Sequence, residues 1–168
     1  MLATDQMAVH LVHAHNDAER RWIENVYPLY LHDLSEFGES IYHLNEEGVW
    51  QPDYLPVWFS ALGARPLVLR AEDQRIGFAF VGQAPFSYRS FDVDQRLSEF
   101  FILRSCRGRG LGRAAAIAVF QAFPGAWELF TLRSNRPSQA FWEKVIETAD
   151  LVCEPEVAVH SIRYRFQV

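Results

Sequence analysis

The stretch Arg107-Gly108-Arg109-Gly110-Leu111-Gly112 constrains this chain more than any other. Phe100-Phe101-Ile102-Leu103 runs into it with the character of a buried strand. Ala114 to Phe120 runs out of it as an alanine-rich helix former. Strand, glycine-rich turn and helix together bring several backbone N–H groups and a positive helix end to one point, which is a seat for a phosphate or pyrophosphate. The glycines remove side chains where backbone must approach a ligand closely. Arg104, Arg107, Arg109 and Arg113 place four positive charges within ten residues of a chain whose net charge is −5. The guanidinium fork suits phosphate oxygens.

Spacing separates this loop from two familiar ones. A Walker A loop ends in Gly-Lys-Ser/Thr, whereas Gly112 is followed by Arg113 and Ala114. A dinucleotide fingerprint counted from Gly108 and Gly110 would need a third glycine at position 113, which is arginine. The spacing present is Arg-x-x-Gly-x-Gly. Downstream, Trp127 to Leu132 reads as another strand, followed by Asn135, Pro137 and the run Ala140-Phe141-Trp142-Glu143-Lys144.

These two segments, in this order, resemble the GCN5-related N-acetyltransferase (GNAT) superfamily. There the loop amides cradle the pyrophosphate of coenzyme A, and an Asn followed by an Ala-x-x-Phe-Tyr-x-Lys-type motif comes after the next strand. The resemblance covers roughly residues 65 to 148 well and the flanks by order of elements. Asp33-Leu34-Ser35-Glu36-Phe37 is also similar to a segment of a bacterial subgroup of predicted acetyltransferases.

At 168 residues the chain reads as a single domain over 1–168, with room for a sizeable core. Its 49% hydrophobic and 22% charged content is ordinary for a globular protein. No apolar run approaches a membrane span, the N-terminus lacks the basic start and apolar stretch of a signal peptide, and two cysteines make no disulfide framework. A cytoplasmic protein that engages neither membrane nor nucleic acid is the expectation. The acidic balance weighs against nucleic acid as the main partner and is compatible with a small cationic substrate.

Along the chain, Val9 to Ala14 alternates as a first strand. Asn16 or Asp17 caps a helix reaching about Phe37, with Trp22, Val26, Leu29, Tyr30 and Asp33 at helical spacing, and Pro28 is expected to break it in two. Residues 39 to 53 read as irregular and Asp53 to Leu62 as a short helix. Pro66 to Arg70 and Arg75 to Gly82 form a hairpin. After a polar connection come the strand Leu97 to Leu103, the helix Gly110 to Phe123, the strand Trp127 to Leu132, the helix Pro137 to Thr148, and a closing strand or pair of strands within Val157 to Val168.

The resemblance implies an α/β fold. Its central sheet is mixed, mostly antiparallel, flanked by helices and splayed between its fourth and fifth strands. It implies acetyl-CoA as acyl donor, direct transfer of the acetyl group to an amine, and a homodimer as the common assembly. The acceptor is expected to be a small-molecule amine, with a protein N-acetyltransferase or a non-catalytic acyl-CoA binding domain as alternatives. A transferase acting on charged tRNA would need a basic face beyond these arginines. Ile102, Leu103, Arg104, Arg107, Gly108, Arg109, Gly110, Leu111, Gly112 and Arg113 are the implied donor-binding residues, joined by Asn135, Phe141 and Trp142. An amide near Ile102 is the expected oxyanion donor.

Glu99 is the candidate base, an acid next to an apolar strand, with Asp92 and Asp94 as alternatives. A bulge in this strand would change which way Glu99 faces. Trp142 stands where the family often has a tyrosine that protonates the leaving thiolate. Indole donates a hydrogen bond but is no acid at neutral pH, which leaves water, Tyr88 or Tyr164. His10, His13 and His15 lack the spacing and partners of a metal site. Tyr30, His32, Asp33, Glu36, His43, Trp50, Tyr54 and Trp58 fall where related enzymes form the acceptor wall. Cys106 has no evident base to make it a nucleophile.

Overall fold

The computed structural model describes residues 8–38 and 42–168. Its centre is a seven-stranded sheet in the order β1-β4-β5-β6-β7-β9-β8. The strands are β1 (Val9–His13), β4 (Ala64–Ala71), β5 (Gln74–Gln83), β6 (Gln95–Ile102), β7 (Ala126–Leu132), β8 (Glu156–Val157) and β9 (Ser161–Gln167). Every neighbouring pair is antiparallel except β6 and β7. The fold is therefore a mixed, mostly antiparallel sheet flanked by helices. The expected hairpin is β4–β5, and the closing segment is the pair β8 and β9.

One face of the sheet packs under α3 (Leu111–Ala122) and α4 (Arg136–Thr148). Its core holds Leu67, Ile76, Val81, Leu97, Ala115, Val119, Trp127 and Leu129. The other face packs under α1 (Asp17–Ser35) and α2 (Leu55–Ser60), around Ile23, Tyr27, Leu31, Trp58, Phe78, Phe80 and Phe101.

Asn16 caps α1, its side chain accepting from the Glu19 N–H at 2.9 Å. Pro28 does not break the helix. It lies on the exposed side, so the carbonyl it leaves without a donor faces water. Burying Ile23 and Leu31 contributes about 1.5–3 kcal/mol each, enough to offset the ~3 kcal/mol an interior proline costs. The buried stripe is Glu19, Ile23, Tyr27 and Leu31 rather than the expected set. Leu29 is half exposed, and Asp33 points toward the glycine loop. Within the segment expected to be irregular, β2 (His43–Leu44) and β3 (Trp50–Gln51) form a small hairpin; residues 39–41 of that expectation lie outside the described residues.

Candidate active site

β6 and β7 pair only from Gln95 to Leu97 against Trp127 to Leu129, and beyond that rung they part. These are the fourth and fifth strands of the large sheet, and the gap is the splay. Leu103 turns its N–H inward to the Ile76 carbonyl at 2.8 Å. Alternation then turns the N–H and carbonyl of residue Ile102 outward, and the carbonyl accepts from Arg107 Nε at 2.7 Å. A short 3-10 turn, Arg104–Cys106, leads into the glycine loop.

Gly110 caps α3 in the left-handed region at φ +81, with no side chain capping the first turn. A Cβ there would be strained. The free first-turn amides and the positive helix end remain open to a ligand. Gly112 lets the first turn of α3 sit close to Ile102 and Phe141, for an added Cβ would lie 3.4 Å from each side chain. Leu111 is buried beneath the turn and Leu103 half-buried beside it.

The four arginines divide into two pairs. Asp33 accepts from Arg104 at 2.7 and 3.1 Å and from Arg107 at 2.7 Å, tying α1 to the strand end. Burial alone would push the Asp33 carboxyl up, but these hydrogen bonds outweigh it and hold it below the usual carboxylate range. Among the described residues, Arg109 and Arg113 have no ion-pair partner and stand exposed beside the loop.

Glu99 owes its position to a bulge. Phe80 pairs with Glu99 and the next residue, Val81, with Leu97, so Ser98 is an extra residue in β6. Leu97 therefore faces the α3/α4 core while Glu99 rises from the opposite face beside Phe80 and Phe101. There its carboxylate accepts hydrogen bonds from the hydroxyls of Tyr30, on α1, and Tyr42. Tyr27 and Tyr42 share a further contact at 3.4 Å. The residue keeps some accessible surface, yet its carboxylate is densely enclosed by protein atoms. Burial pushes it up to about 7 despite those hydrogen bonds and the charge of Arg96. Burial, and then the neighbouring Glu99 charge, raise the hydroxyls of Tyr27, Tyr30 and Tyr42.

Asn135 is the N-cap of α4, its Oδ1 accepting from the Ser138 N–H at 3.0 Å, which leaves the amide NH2 for another partner. Phe141 is half-buried and stacks on Phe100 at 5.8 Å. Trp142 is a core residue, 6% exposed and packed on Phe100, Phe120 and Phe141. This burial sets Trp142 apart from the residues that line the loop.

The sequence pattern of the Acetyltransferase (GNAT) family matches residues 23–146, most of the chain, with β6, the glycine loop, α3 and β7 inside it. The chain belongs to the GNAT acetyltransferase family. Among solved structures, an acetyltransferase from Thermus thermophilus superposes with a TM-score of 0.65 at 15% identity, covering 96% of this chain and 97% of the other. The Salmonella typhimurium protein yncA, solved with its cofactor acetyl-CoA, gives 0.56 at 17%, covering 96% and 93%. A Bacillus subtilis acetyltransferase in complex with CoA gives 0.57 at 11%, covering 97% and 99%. No curated protein matches the chain in sequence.

In this GNAT acetyltransferase the alternative acids have other partners. Asp92 pairs with Arg165, and Asp94 accepts from the Ala126 N–H at 2.8 Å. Tyr88 lies exposed in the β5–β6 connection, and Tyr164 is buried on β9, beyond β7 from β6. His13 and His15 stack on each other at 5.2 Å. Among the described residues no three metal-ligating side chains converge, and no helix is long and apolar enough to cross a membrane. Sequence reasoning missed Tyr27 and Tyr42 as partners in the Glu99 cluster. Tyr27 was legible in principle, since Ile23, Tyr27 and Leu31 are spaced by four. Tyr42, in a segment without periodicity, was not.

Proposed function

We propose that this protein transfers the acetyl group of acetyl-CoA directly to the amine of a small molecule, with Glu99 as base. The observation that carries this is the Glu99 carboxyl, enclosed by tyrosines on the strand that leads into the glycine loop and raised to about 7. A base is most effective when its pKa lies near the working pH.

The loop amides, the α3 N-terminus and Arg109 and Arg113 hold the pyrophosphate. Arg104 and Arg107 border the same ligand from their tie to Asp33. The open edge of β6 near Ile102 and Leu103, with Phe141 and the Asn135 amide opposite, guides the arm that carries the thioester. The amine nitrogen attacks the thioester carbon, and an outward β6 amide near Ile102 stabilises the oxyanion. The C–N bond forms, the C–S bond breaks, and the proton lost by nitrogen passes to Glu99. The thiolate leaves into the open splay and takes its proton from water, which suits a thiol of ordinary acidity, near 8.5. Cys106 takes no part, and no acyl-enzyme forms.

Calorimetric titration with acetyl-CoA, CoA and NAD, followed by thiol release against an amine panel, tests this. Binding of both CoA forms but not NAD, with amine-dependent thiol release, is the expected result. No binding overturns the loop assignment; binding without turnover on any amine supports the acyl-CoA binding alternative. An acceptor confined to peptide N-termini or lysines would replace the small molecule with a protein.

A further inference from the structure

The bulge at Ser98 has a second effect. Residues three apart on a regular strand face opposite ways, but the extra residue puts Arg96 on the same face as Glu99. Arg96 pairs with Gly82 and Glu99 with Phe80, so the two side chains rise two rungs apart, about 7 Å along the strand. Arg96 lies at the mouth of the splay, one rung before β6 and β7 part.

The Arg96 guanidinium is left without a hydrogen-bonding partner. It is half-buried and lies 4.7 Å from the Phe130 ring centroid. Among the described residues it makes no hydrogen bond or ion pair, and its Nε is fully buried and unsatisfied. The nearest acid in register, Glu128, is fully buried and already engaged by the N–H and hydroxyl of Ser90 and by Arg163 at 2.7 Å. The Ser98 hydroxyl and the Gln95 side-chain carbonyl oxygen, on the same short stretch of β6, are also buried without partners. A guanidinium cannot shed its charge, and leaving its donors unmet in a half-buried place is costly. A planar carboxylate is the group that fits the fork.

We propose that Arg96 binds a carboxylate of the acceptor, so that the substrate is an amino acid whose amine and carboxylate are several bonds apart. The amine meets Glu99 and the carboxylate meets Arg96, with the rung spacing as the ruler. This rests on the acetyl-transfer reading given above.

The test uses straight-chain amino acids from glycine to 6-aminohexanoate, each beside its carboxamide, in the thiol-release assay. Acid over carboxamide by tenfold or more in kcat/KM, strongest in the longer members, is the expected result. Arg96→Gln brings each acid down to the level of its carboxamide, chiefly through KM, and Arg96→Lys restores part of the preference. Unchanged acetyl-CoA affinity shows that the variants are folded. Equal use of acids and carboxamides, or a preference that survives Arg96→Gln, overturns the proposal and leaves acetyl transfer standing. A binding measurement covers the case in which transfer itself fails. 6-Acetamidohexanoate titrated into the CoA-loaded protein should bind at least tenfold more tightly than its carboxamide, and Arg96→Gln should erase the difference. Equal binding of the two overturns the proposal whatever the turnover.

Discussion

The loop end of β6 and the middle of β6 lie on one strand, yet they are built in opposite ways. At the loop end the proposed working groups are backbone. The first-turn amides of α3 stay open because Gly110 leaves the helix uncapped, and the Ile102 carbonyl faces outward through strand alternation. In the middle the proposed working groups are side chains. Arg96 and Glu99 are held in half-buried surroundings by a bulge, a tyrosine cluster and the Phe130 ring. A site made of backbone depends on the path of the chain, whereas a site made of buried side chains depends on its enclosure.

The largest effect expected from this contrast is at Gly110. Gly110→Glu puts a strained Cβ and a negative charge at the helix end, and acetyl-CoA affinity should fall by two orders of magnitude or more on titration; full affinity in a folded variant would break the backbone account of the loop. Next comes Glu99→Gln, which should lower kcat about 100-fold with donor affinity kept. In the parent protein, turnover should rise with pH through about 7 as the Glu99 carboxyl ionises, and the variant's profile should lose that limb. A persisting limb would assign it to another group.

A smaller effect separates the two arginine pairs. Arg109→Ala should weaken acetyl-CoA more than Arg104→Ala, because Asp33 already holds Arg104; equal losses would erase the distinction. Smallest is Asp33→Asn, which should lower the melting temperature by about 1–3 °C, as expected for a partly exposed ion pair. The Asp33 carboxyl is held low in the folded chain. Its stabilisation is therefore present above the ordinary carboxylate pKa and disappears as pH falls through the depressed value. The melting temperatures of parent and variant should then converge in acid.

What could be read from the residues follows the same division. The loop was legible because Arg107 to Gly112 are consecutive and lie between a strand and a helix former. Both ends of α3 and the start of α4 were legible because Gly, Pro and Asn mark them. The Asp33 tie was not, since it joins residues more than seventy positions apart. The continuity of α1 through Pro28 was decided by which face of the helix is buried. The facing of Glu99 turned on Ser98, whose side chain gives no sign that it is the extra residue.

That unpaired serine separates distance along the chain from distance in space. Arg-x-x-Glu here presents the same pair of groups, on the same rungs, that Arg-x-Glu would present on an unbulged strand. Two chains differing by one letter in length can therefore carry one chemistry under two different patterns. Two chains sharing one pattern can turn the same letters to opposite sides of a sheet. For strands of this kind, function is better compared rung by rung than residue by residue.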